Sequence, residues 1–100
     1  MSATIGVARV TIYLEMSFSL KDKRREVRSV CQQVQNRFNA AIAEIEDLDD
    51  KRVATLGVVV VSNDVRHADQ MLATVVAFIE QRLDLGTLGE VETELFPFHG

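Results

Sequence analysis

Lys21, Lys23, Arg24, Arg25 and Arg28 are five of the chain's eleven Lys and Arg, held within eight residues of a 100-residue protein whose net charge is −4. The chemistry such a cluster offers is electrostatic, because adjacent ammonium and guanidinium groups can neutralise successive phosphates of a polyanion. The flanking residues put the cluster on a helix. Ser19 is a suitable N-cap, and Asp22 stands three residues later, a partial match to the capping box, whose later residue is Glu or Gln. Asp22 also brings a negative charge to the first turn, where the exposed N–H dipoles favour it.

Val27, Val30, Cys31, Val34 and Phe38 then recur at helical spacing, which predicts an amphipathic helix over 20–38 with Asn39 as a stop. At about 100° per residue, Lys21, Arg24, Arg25 and Arg28 form a second stripe about a third of a turn from the apolar one. Lys23 falls instead over the apolar side, where it would have to snorkel. The plain alternative is a solvated face with Lys and Arg stems covering the core edge, or a salt-bridge network to an acidic loop. Two like-charge i,i+4 pairs, Lys21 with Arg25 and Arg24 with Arg28, each cost about 0.2–0.5 kcal/mol. Cations near a helix N-terminus also oppose the dipole. A stretch that accepts these penalties together points to an anionic partner.

Other residues capable of chemistry are isolated. The segment Glu15–Ser19 lacks the Gly and Arg of a phosphate cradle, and Ser17 and Ser19 have no neighbouring His to serve as base. His67 sits on a helix flank with Met71 and Phe78 and reads as a packing or interface residue; His99 lies in a tail expected to be mobile. Glu44, Glu46, Asp47, Asp49 and Asp50 lack the spacing and Gly of a calcium loop, and Gly86–Gly89 has no following Lys-Ser/Thr. Cys31, the single cysteine, reads as core and favours a reducing cytoplasm. No catalysis, cofactor, metal or small-molecule substrate is expected.

The elements that must position the basic cluster read as βαββαβ. Residues 4–14 form a β-branched first strand with Ala8, Val10, Ile12 and Leu14 toward the core. Ala40–Glu46 and Arg52–Val61 make the next two strands, the latter apolar on both faces and therefore central. Ser62-Asn63-Asp64 caps a second helix over 64–83, with Val65, Ala68, Leu72, Val75, Val76, Ile79 and Leu83 on one face. Glu90–Phe96 closes as an edge strand, with Glu90, Glu92 and Glu94 alternating against Val91, Thr93 and Leu95, and a late Pro97. The economical solution is an α+β ferredoxin-like domain over 1–100. It has a four-stranded antiparallel sheet, the first and third strands central, and both helices on one face.

The other face then exposes residues from Ile5, Val7, Arg9, Thr11 and Tyr13 with one of two apolar sets from 53–61. An open apolar sheet of that extent predicts a homodimer. Base stacking on that face would need aromatics on the central strands, and Tyr13 is the only candidate. Charge is unevenly distributed: residues 1–38 carry seven basic and three acidic side chains, net +4, and residues 39–100 carry four and twelve, net −8. A pI near 5.1 argues against a general nucleic-acid coat but leaves room for a local basic footprint. No apolar run is long enough to span a membrane, and Met1–Thr4 lacks the pattern of a signal peptide.

Ser19-Leu20-Lys21-Asp22-Lys23-Arg24-Arg25, Arg37-Phe38-Asn39 and Leu56-Gly57-Val58-Val59-Val60-Val61-Ser62-Asn63-Asp64 together resemble the YlxP-like family of small bacterial proteins of unknown function. The resemblance covers nearly the whole chain. It implies a ferredoxin-like fold and, because members are often encoded beside translation-initiation and ribosome-maturation factors, an RNA or ribosome role. It supplies no catalytic residues. The expectation is a cytoplasmic, non-enzymatic module that meets RNA or a ribosomal partner through Lys21, Lys23, Arg24, Arg25 and Arg28.

Overall fold

Strict alternation along the first strand decides which side of the sheet is covered. In the computed structural model, which describes residues 2–99, Ala8, Val10, Ile12 and Leu14 are buried and the intervening Arg9 and Tyr13 are exposed. The elements are β1 (Ser2–Tyr13), α1 (Leu20–Arg37), β2 (Ala41–Glu46), β3 (Val53–Ser62), α2 (Val65–Arg82) and β4 (Thr87–His99). The four strands pair antiparallel in the order β2-β3-β1-β4, the ferredoxin-like arrangement, with β1 and β3 central. The register of β3 against β1 sends Ala54, Leu56, Val58 and Val60 into the core beneath the helices. Val53, Thr55, Gly57, Val59 and Val61 fall on the opposite side. Val30 and Val34 of α1 and Ala68, Leu72, Val75, Phe78 and Ile79 of α2 close the same apolar cluster.

The last strand is longer than its sequence pattern predicts. It runs from Thr87 through Pro97 to His99, so His99 belongs to a strand opposite Ser2 and not to a loose tail. Pro97 is tolerated because β4 is an edge, where a missing N–H need not face a neighbour. A register shift opposite Thr11 lets the ring of Tyr13 lie over Gly89, at a place where a Cβ would collide with it. The Tyr13 hydroxyl then donates to Glu90 Oε2 at 2.6 Å.

α1 begins with a complete capping box. Asp22 N–H donates to Ser19 Oγ at 3.0 Å and Ser19 N–H donates to Asp22 Oδ2 at 2.9 Å, so Asp fills the place usually held by Glu or Gln. The Ser19 amide, and after it the Ser19 side chain and the charges of Arg25 and Lys21, hold the Asp22 carboxyl below its ordinary value.

The sharpest departure from the sequence reading is Lys23. It neither snorkels nor reaches solvent, and its exposure is 0%. Its ammonium donates to the carbonyls of Asp47 (2.7 Å), Asp50 (2.7 Å) and Val53 (2.9 Å) in the β2–β3 hairpin. Those three bonds use all three protons of Nζ. Glu44 Oε2, 2.9 Å away, is therefore a charge contact without a hydrogen bond of its own, and it completes the neutralisation. The hairpin is shaped to present these carbonyls. Asp47 takes a left-handed conformation (φ 60°), accepts the Asp50 N–H at 3.0 Å, and accepts the Thr55 hydroxyl on its side chain at 2.9 Å.

One turn along the same buried face, Glu26 does the converse. Oε1 accepts the N–H groups of Asp84 (2.5 Å) and Leu85 (3.0 Å), and Oε2 accepts those of Leu85 (3.0 Å) and Gly86 (2.6 Å). A side chain at position 86 would meet both Ile12 and Glu26, which accounts for the glycine there. α1 thus pins the β2–β3 hairpin with a cation and the α2–β4 loop with an anion.

Replacing Lys23 by Ala strands three inward carbonyls and the Glu44 carboxylate. Urea unfolding should show a loss of about 3–5 kcal/mol, the cost of leaving half of an internal charge pair uncompensated. Arg25→Ala on the exposed side should stay within about 0.5 kcal/mol. A second expectation concerns the Tyr13–Glu90 contact. Glu90 raises the Tyr13 phenol above its ordinary value of 10.0, first by the hydrogen bond it accepts, and Tyr13 lowers the Glu90 carboxyl. The contact therefore stabilises the fold above the range where an unfolded Glu ionises and is lost as pH rises through the folded Tyr13 value. Ultraviolet titration is unambiguous with one Tyr and no Trp, and Glu90→Gln should move the phenol back toward its ordinary value.

Candidate anion-binding ridge

With Lys23 turned inward, four of the five predicted cations remain on the solvent side of α1. Lys21, Arg24, Arg25 and Arg28 are exposed and together line one shallow groove on the helix surface. They occupy i, i+3, i+4 and i+7, so two helical turns carry the whole set on a single stripe. Among the described residues no carboxylate lies within 4 Å of the charged groups of Lys21, Arg25 or Arg28. Arg24 Nη2 lies 3.7 Å from Asp49 Oδ1, with both side chains more than half exposed, a contact of the loose, solvent-screened kind. The ridge consists of cations whose fields point outward and sum.

Lys23 is corrected from an anion-binding residue to a structural one, since an ammonium with no exposed surface offers nothing to a ligand. Arg37, in the last turn of the same helix, is engaged elsewhere. Its guanidinium lies 5.9 Å from the ring centre of Phe38 and 5.4 Å from that of Phe78, while Arg82 lies 4.8 Å from Phe78. The two rings meet edge to face at 5.2 Å, so Arg37 and Arg82 close the seam between the helices by cation–π contact.

Other candidate groups take structural positions. Cys31 is half-buried against the core, and burial, then Glu44, pushes its thiol above the ordinary range, the opposite of what a nucleophile needs. The sequence reading overlooked one Ser–His contact: Ser62 Oγ lies 3.1 Å from His67 Nδ1. Ser62 Oγ also accepts the Asp64 N–H, and the Asp64 carboxylate accepts the Arg66 N–H, so the group is the N-terminal cap of α2, and no acid among the described residues orients the imidazole. No group of three or more His, Cys, Asp or Glu among the described residues could hold a metal ion.

The open side of the sheet is divided lengthwise. Toward one end Val59, Val61, Phe96 and Phe98 are 41%, 59%, 41% and 60% exposed, beside half-buried Ile5 and Val7. The pairing Val61–Ile5–Phe96 shows that all three belong to the same face. Toward the other end lie Arg9, which pairs with Glu46, and Glu90 and Glu92, with Glu94 at the boundary, level with Val7 and Val59. The two phenylalanines continue the parity of those glutamates. Tyr13, the one aromatic of the central strands on this face, has its hydroxyl committed to Glu90. No helix of the described residues is long and apolar enough to cross a membrane.

The comparisons with known proteins give a family and no activity. A curated relative, the uncharacterized protein YlxP of Bacillus subtilis, is 33% identical over 76 residues, spanning 76% of this chain and 83% of that protein. A solution structure of a de novo designed protein with ferredoxin fold aligns with a TM-score of 0.49 at 21% identity, covering 91% of this chain and 86% of the other. Residues 5–90 match the family described as "Protein of unknown function (DUF503)". The chain belongs to this YlxP-like family of unknown function.

Proposed function

We propose that the protein acts by binding and not by catalysis, as a cytoplasmic module that meets RNA, free or within a ribosomal particle, through Lys21, Arg24, Arg25 and Arg28. The observation that carries the reading is the sorting of one short basic stretch. The cation the fold requires is internalised, and the other four are left outward on two turns; among the described residues Arg24 alone has a carboxylate within 4 Å, the loose Asp49 contact at 3.7 Å. Four aligned charges on a protein of net charge −4 make a local attractive site on a surface that elsewhere repels polyanions. This favours orientation over coating. Recognition through the backbone charge fits the residues present better than base stacking, because the central strands offer only the committed Tyr13.

A second reading, compatible with the first, rests on the apolar end of the open sheet. Val59, Val61, Phe96 and Phe98 with Ile5 and Val7 form one continuous apolar region, and a second copy of the chain is the occupant we infer. A two-fold axis through that region sets apolar side chains on their equivalents and turns the charged ends of the two sheets away from each other.

Replacing Arg24, Arg25 and Arg28 together by Glu should leave the circular dichroism and melting of the protein unchanged and abolish its binding to RNA. Four phosphate contacts on a single strand give the wild type a log K against log salt slope of about −2.8, a loss of about fiftyfold between 50 and 200 mM salt. A wild type that ignores RNA at 50 mM salt, or a triple variant that binds as well, overturns the reading. For the sheet, sedimentation of the wild type should show a dimer that Val61→Lys with Phe96→Lys converts to a monomer. A wild type that stays monomeric at high micromolar concentration removes the second reading and leaves the first untouched.

A further inference from the structure

Between Glu44 and Asp50 the chain carries five carboxylates, and four of them are engaged at close range where they stand. Glu44 faces the Lys23 ammonium at 2.9 Å and Glu46 pairs with Arg9 at 2.5 Å. Asp47 accepts the Thr55 hydroxyl at 2.9 Å. Asp50 accepts the Arg52 amide at 2.9 Å and its guanidinium at 3.3 and 3.4 Å, contacts that hold the Asp50 carboxyl below its ordinary value. Asp49 makes neither a hydrogen bond nor an ion pair closer than 3.7 Å among the described residues. It projects from the hairpin with its side chain 94% exposed, and the nearest cation is Arg24 of the ridge, 3.7 Å away. Its position is not left to a flexible loop, because the carbonyls on either side of it, at Asp47 and Asp50, are both held by Lys23.

We propose that Asp49 is a built-in competitor for the anion: a carboxylate fixed at the edge of the ridge that a phosphate must displace from Arg24 in order to bind. This rests on the ridge being the RNA-binding surface. The contact is long and solvated, so it is readily displaced. It lowers by a similar modest factor the affinity of every polyanion that uses Arg24. The same Lys23 that stabilises the hairpin thereby sets the affinity of the surface beside it.

The test uses the full chain and a fluorescein-labelled 20-nucleotide single-stranded RNA, with Asp49→Asn compared against Asp69→Asn. The second change removes an equal charge from the side of α2 that borders β4. Asp49→Asn should tighten binding about two- to fivefold at 50 mM salt, the range an exposed ion pair spans, and Asp69→Asn should change it by less than about 1.5-fold. The difference should fade by 300 mM salt. RNA bound by the wild type with equal affinities for the two variants overturns the competitor role and leaves the ridge standing. Failure of all three proteins to bind overturns the ridge and the competitor together.

Discussion

Two opposite charges on the buried face of α1 set the geometry on which the rest depends. Lys23 and Glu26 continue the stripe that Val30 and Val34 complete, at the spacing an apolar residue would have. Both lie where the helix overhangs the end of the sheet, and there the groups to be satisfied are main-chain carbonyls and amides of two connecting segments. An ammonium suits three converging carbonyls, and a carboxylate suits three successive N–H groups. Neither charge would be tolerable there alone, since taking an ion out of water costs several kcal/mol. Each is compensated by three main-chain groups at hydrogen-bond distance.

This arrangement accounts for the surface as well as the interior. Fixing the rotation of α1 about its axis by Lys23 and Glu26 fixes where Lys21, Arg24, Arg25 and Arg28 point. The ridge then lies outward beside the hairpin, whose Asp49 comes within 3.7 Å of Arg24. The capping box offsets part of the unfavourable encounter between these cations and the helix N-terminus, because Asp22 brings negative charge into the first turn while closing the cap. What remains uncompensated is available to a ligand.

Much of the architecture was legible from the residues. Alternation in 8–14 and the doubly apolar run 56–61 identified the central strands, and the 3.6-residue spacing of Val27–Phe38 and Val65–Leu83 identified both helices. Two things were hidden, for different reasons. Lys23 and Glu26 look like surface residues by type. Helical spacing puts both on the buried stripe in its first turns, but the partners that satisfy them come from loops distant in sequence, which spacing does not show. The second was the face of Phe96 and Phe98. Parity along β4 assigns them to the side of Glu90, Glu92 and Glu94, so the strand that reads as charged on one face is charged at one end only. Of the ridge itself, four of the five cations stand where helical periodicity places them, and the fifth was misassigned because pattern gives an angle and not a depth.

The direct test of this account is whether the Lys23 ammonium is inside. In heteronuclear NMR at neutral pH, an Nζ group held by three carbonyls keeps its protons long enough to give a resolved side-chain signal, whereas the exposed Lys21 exchanges its protons with water too fast to be seen. The account predicts such a protected signal for Lys23, unmoved when RNA is added. A Lys23 ammonium as labile as that of Lys21, or one that shifts with RNA, contradicts it.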